Sequence, residues 1–68
     1  MNEVKIKEEY IKLDQLLKLT DIAVTGGHAK IIIQNKEVKV NGKIEIRRGR
    51  KIRKGDKIEV EEKKIIIV

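Results

Sequence analysis

Val4 and Ile6 alternate with Lys5 and Lys7, a period of two that predicts a short first strand with one buried face. From Leu13 the period changes. Leu13, Leu16 and Leu17 fall at i, i+3 and i+4, the apolar stripe of a short amphipathic helix. Asp14 near its start and Lys18 near its end suit the helix dipole. A connector carrying Ile22 and Val24 closes at Thr25-Gly26-Gly27. A second helix is expected from about Gly27 to Asn35, with Ala29, Ile32 and Ile33 inward and Lys30 and Gln34 outward.

After Lys36 the period returns to two. Val38 and Val40 flank Lys39, and Asn41-Gly42 is a strong hairpin signal because both residues accept positive φ. Ile44 and Ile46 are expected to continue the return strand. Arg47-Arg48-Gly49-Arg50-Lys51 is expected to be an exposed loop, and Gly55-Asp56 a second turn. Ile58 and Val60 predict another alternating strand. Glu61–Lys64 predicts a polar turn into Ile65–Val68, whose unbroken apolar character suits an interior strand or one covered on both faces. The expected architecture is α+β, two early helices and a small, mostly antiparallel sheet, in a single domain over residues 1–68.

Composition narrows the class. Thirteen isoleucines supply the core, and Tyr10 is the only aromatic. Binders of single strands without sequence preference stack bases on several rings, so this chain, if it binds nucleic acid, is expected to read backbone and shape. With no cysteine, neither a disulfide framework nor a thiolate metal site is available. No apolar run approaches a membrane span, and the start lacks a signal-peptide pattern, so the expected location is cytoplasmic.

Charge carries more information once located. Between Lys43 and Lys54 lie seven basic side chains (Lys43, Arg47, Arg48, Arg50, Lys51, Arg53 and Lys54) and one acid, Glu45, so this segment alone carries the formal +6. The other 56 residues hold ten basic and ten acidic groups, which cancel. All four arginines lie in the segment. A planar guanidinium takes phosphate at two points, so an arginine-rich patch on a neutral body points to a polyanion. The expectation is that these guanidinium groups share one exterior surface and stay free of the chain's own carboxylates.

Catalytic chemistry finds few candidates. His28 is the single histidine, serine is absent, and Thr20 and Thr25 have no evident base and orienting partner. The acid pairs Glu8-Glu9 and Glu61-Glu62 sit beside lysines on expected surface. No enzyme activity, cofactor or metal is expected. His28 reads as a solvent-facing residue of the second helix's first turn. Gly26-Gly27 at the helix start has two readings, a tight turn or bare amides that receive a phosphate oxygen, with Lys30 extending the second.

Several of these residues together resemble a known family. Lys12-Leu13-Asp14-Gln15-Leu16-Leu17, Ala29-Lys30 to Ile33, Val38-Lys39-Val40-Asn41-Gly42 and Gly55-Asp56 are similar to the S-four-like RNA-binding domain, first recognised in the fourth small-subunit ribosomal protein. The resemblance runs from Tyr10 to Val60. Gly26-Gly27-His28-Ala29-Lys30 and Arg47-Arg48-Gly49-Arg50-Lys51 look like its small single-domain YaaA/YbcJ-type branch. It implies an αα hairpin packed on a small sheet (the αL RNA-binding motif), with a basic face that grips structured RNA, ribosomal or transfer. Lys12 stands where typical members have arginine, and Gly26-Gly27 where they have Ser-Arg. The later arginines could supply the lost charge.

The expected function is therefore non-enzymatic docking on phosphates of folded RNA, in ribosome assembly or translation, by a monomer that can contact a ribosomal subunit. The expected anchors are Arg47, Arg48, Arg50, Lys51, Arg53 and Lys43, with Lys12, Lys30 and the Gly26 and Gly27 amides as a second patch. The alternative is a protein-interaction adaptor whose basic loop meets an acidic partner on a ribosome-associated factor. Membrane docking is disfavoured because neither helix joins basic residues to a wide apolar face. Major-groove DNA reading is disfavoured because no helix is lined with Arg, Asn or Gln.

Overall fold

The structure is a computed structural model and describes residues 2–68. Strand β1 (Asn2–Val4) is followed by β2 (Ile11–Lys12), which runs directly into α1 (Leu13–Leu19), and then by α2 (Gly26–Gln34). Strands β3 (Val38–Val40), β4 (Lys43–Ile44), β5 (Lys51–Ile52), β6 (Lys57–Val60) and β7 (Lys63–Ile67) complete the chain. The main sheet has the order β1-β7-β6-β3-β4, parallel only at β1–β7, while β2 and β5 pair antiparallel in a separate ribbon. This is the expected α+β architecture, a two-helix hairpin on a mostly antiparallel sheet. β7 lies between β1 and β6, as its apolar run suggested.

The two periodicities meet in one core. Leu13, Leu16 and Leu17 of α1 and Ala29, Ile32 and Ile33 of α2 join Val38, Val40, Ile58, Val60, Ile65 and Ile67 of the sheet. Ile6 is also buried, though it lies just past the end of β1.

Local chemistry sets the helix ends. Thr25 Oγ1 accepts from the His28 amide at 3.0 Å, and His28 Nδ1 accepts from the Val24 amide at 3.1 Å. This reciprocal cap starts α2 at Gly26, one residue before the expected position, and leaves His28 exposed. At the far end the Lys36 amide donates to the Ile33 carbonyl at 3.1 Å and the Glu37 amide to the Ile32 carbonyl at 3.3 Å. That is a Schellman stop, with Lys36 at φ 64°. A side chain resists this conformation and glycine does not. Lys36→Gly is therefore expected to raise stability by about 0.5–1 kcal/mol, measured by denaturant unfolding.

Candidate nucleic-acid interface

The basic segment is held at both ends by the residues that look most like turn punctuation. Asn41 (φ 53°) and Gly42 (φ 85°) form the tight turn between β3 and β4. Asn41 Nδ2 donates to Asp56 Oδ1 at 3.0 Å, and Asn41 Oδ1 accepts from the Lys57 amide at 2.9 Å. The other Asp56 oxygen accepts from the Arg53 amide at 2.9 Å. The Asn-Gly and Gly-Asp pairs are thus one brace, and the whole +6 segment is strung between its ends.

Between those ends two contacts press the segment onto the body, and a third folds it on itself. Ile52 is completely buried and pairs across the ribbon with Ile11, which sets Lys12 directly opposite Lys51. Like charges facing each other weaken a ribbon, so this pair stores positive potential that an anion would relieve. Lys51 belongs to β5, so the expected loop ends one residue sooner than its sequence suggested. The second contact involves α1, whose first residues lack a capping side chain at Lys12. The Leu13 amide donates instead to the Arg50 carbonyl at 2.9 Å, and the Asp14 amide to the Arg48 carbonyl at 3.1 Å. The arginine loop is the cap of the first helix.

The third contact is Glu45, and here the expected register fails. Ile44 and Ile46 are 54% and 56% exposed, while the Glu45 side chain between them is only 8% exposed. β4 ends at Ile44, so Ile46 is not part of the return strand. The inversion has a clear cause. Glu45 Oε2 accepts from Arg47 Nε at 3.0 Å and from the Ile46 and Arg47 amides, both at 3.1 Å. Glu45 Oε1 accepts from Arg50 Nη1 at 2.7 Å and from Arg47 Nη2 at 3.1 Å. An alternating segment can turn only one set of side chains inward. Five donors converging on one carboxylate select the acid over the isoleucines.

Those hydrogen bonds, chiefly from the Arg47 side chain and then from Arg50, outweigh burial and hold the Glu45 carboxyl down at about 2. The Arg47 guanidinium is raised in turn by the same bond. Two of the four arginines are therefore engaged by the chain's own carboxylate, against the expectation that all would be free. Arg47 still leaves 71% of its side chain exposed, and Arg50 35%. Glu45 takes part in both ion pairs among the described residues, which leaves Arg48 and Arg53 outside any such pair.

The segment gathers most of the expected anchors. Arg47, Arg50, Lys51 and Arg53 line one open concavity of about 470 Å³ together with Gly49. Lys43 joins Arg47 and Arg50 around the adjoining hollow. Arg48 is exposed where the loop covers the start of α1. Lys51 Nζ lies 5.0 Å and Arg53 Cζ 5.9 Å from the centre of the Tyr10 ring, a cation–π pairing that steadies both cations.

Lys30, Gly26 and Gly27 sit apart from this cluster in bonding, since no hydrogen bond or ion pair among the described residues joins α2 to the arginine loop. A Cβ at Gly26 would meet nothing within 4 Å, and one at Gly27 only Thr25 Oγ1 at 3.8 Å, so packing does not demand glycine there. Three structural contributors escaped the sequence reading: Glu45, Tyr10 and the Asn41–Asp56 brace. Glu45 carried a signal, an acid flanked by isoleucines with arginines two and five residues on.

The S4 domain family matches residues 4–68. A probable ribosome maturation protein of Bacillus subtilis (strain 168), RlbA, is 45% identical over 60 residues, covering 88% of this chain and 84% of that protein. The solution structure of YbcJ from E. coli, described as revealing an αL motif involved in RNA-binding, has a TM-score of 0.76 to this one at 32% identity. It is covered over 100% of this chain and 87% of its own.

Proposed function

Since the chain belongs to the S4 domain family, we propose that it grips phosphates of ribosomal RNA with the braced basic segment, as a step in ribosome maturation in the cytoplasm. The domain is an RNA-binding one and not an enzyme. The observation that carries the reading is the placement of Arg47, Arg50, Lys51 and Arg53 around one concave surface, with Lys12 opposite Lys51. Held guanidinium groups lose little further freedom when they take a phosphate, and this favours a folded backbone over a flexible anion. The resemblance to RlbA supports the ribosomal process, and that to YbcJ supports the RNA partner.

The exposed Ile44 and Ile46 beside Arg47 favour a second reading, in which the same loop docks an acidic protein. Crosslinking in cells, followed by sequencing of the attached RNA, separates the two. The expected result is recovery of one ribosomal RNA region, with partners released by nuclease. Partners retained after nuclease, with no enriched RNA, would transfer the basic face to a protein ligand.

A further inference from the structure

A second concavity lies beside the basic face, of about 620 Å³ and lined by Glu8, Tyr10, Ile11, Gln15, Lys18 and Leu19. Its size suits a small organic group. Ile11 and Leu19 make its apolar walls, and Leu19 is 62% exposed at the last turn of α1. Tyr10 belongs to both surfaces, lining the groove while Lys51 and Arg53 stand over its ring. A ligand seated here would have its apolar part against Tyr10, Ile11 and Leu19, and any phosphate attached to it within reach of the two cations.

We propose that this groove receives one unpaired nucleobase of the bound RNA. The inference rests on the RNA reading above and adds a base-contacting site to it. The groove's polar lining selects the occupant. One acid and one base, Glu8 and Lys18, leave it without net charge. Glu8 accepts an N–H from a base edge, Lys18 donates to a base oxygen or ring nitrogen, and Gln15 can do either. The neighbouring cations hold the nucleotide's phosphate just outside. A duplex cannot fill the groove, because its bases are stacked and paired; a bulged or looped nucleotide can. The shortage of aromatics excludes a multi-base stacking platform but leaves room for a single-base site at the one ring present.

The test compares a fully paired RNA hairpin with hairpins carrying each base in turn as a single-nucleotide bulge, with 2-aminopurine as a fluorescent bulge. Wild type is expected to bind the bulged hairpins roughly 10-fold tighter than the paired one, the scale of one base packed on an aromatic surface. The 2-aminopurine emission should change on binding. Leu19→Ser, a surface substitution, is expected to abolish both the preference and the emission change while leaving the salt dependence intact. Tyr10→Leu should reproduce that loss. Arg48→Ala should do the reverse, flattening the salt dependence and keeping the preference. Equal affinity for bulged and paired hairpins, with a steep salt dependence, would overturn the base site and leave the phosphate reading standing. Absence of salt-dependent binding to any of these RNAs would overturn both.

Discussion

Alanine at Arg48, Lys51 and Arg53 together is expected to weaken binding to ribosomal RNA by on the order of 10²-fold or more in moderate salt, with the fold unchanged. Each cation that neutralises a phosphate contributes roughly 0.7–0.9 to the slope of log affinity against log salt. Losing three should therefore reduce that slope by about 2–3. These three are chosen because they take part in no ion pair among the described residues, so their charge is available to a ligand. Ile52 and the backbone contacts remain to hold the segment in place. Arg47/Arg50→Ala makes the informative contrast. It leaves the Glu45 carboxylate without its guanidinium partners, so much of its effect should appear as lost stability. Titration of both variants across salt concentrations checks the division. An unaltered slope in the first variant would remove Arg48, Lys51 and Arg53 from the interface.

Glu45→Gln produces the other large effect, on stability and on its pH dependence. The carboxyl lies at about 2 in the folded chain against an ordinary 4.5, so the folded state binds fewer protons than the unfolded one in that interval. Its contribution is fully present above about pH 5 and is lost as pH falls through 4.5 towards 2. The shift corresponds to about 3 kcal/mol. Arg47 is largely exposed, and screening of that partner reduces the expected value to about 2 kcal/mol. For a domain of this size that is about 8–16 °C in Tm. The wild type should lose stability steeply between pH 5 and 2, and Glu45→Gln should be less stable at pH 7 and flatter across the acid range. Thermal melts at several pH values measure both. Equal acid sensitivity in the two proteins would show that Glu45 does not hold the loop.

The same substitution separates organisation from charge. It raises the charge of the segment by one, and by Coulomb attraction alone it should tighten RNA binding. If the carboxylate serves to hold Arg47 and Arg50 in place, the freed side chains must be ordered again at each binding event, and affinity should fall. The salt slope would stay close to that of the wild type in either case, so affinity at fixed salt gives the answer.

Particular residues show how far a linear pattern reaches. The stripe of Leu13, Leu16 and Leu17 specifies both a helix and its buried face, because side chains three and four residues apart share one side. Val38, Val40, Ile58 and Val60 do the same for strands, and Asn41-Gly42 specifies the tight turn through its positive φ angles. Ile44 and Ile46 carry an equally regular alternation, yet the face they predict is the wrong one. Periodicity names two faces and does not say which one meets the core. Five hydrogen bonds to Glu45 decide that here, and one of them, from Arg50, spans a turn.

Residue order alone settles the chain's α+β class, its two helices, the Asn41-Gly42 and Gly55-Asp56 turns, and the crowding of all its excess charge into twelve consecutive positions, because these depend on neighbours a few residues apart. The expected turn over Glu61–Lys64 shrinks to Glu61-Glu62, since Lys63 and Lys64 already pair in β7. Folding in three dimensions settles which of those cations are shared with a carboxylate, which stand over Tyr10, and how Asn41 and Asp56 close the segment at its base. These contacts join groups distant in the chain or choose between two faces equally open to it. Their energies exist only once the backbone has brought the partners within hydrogen-bonding distance.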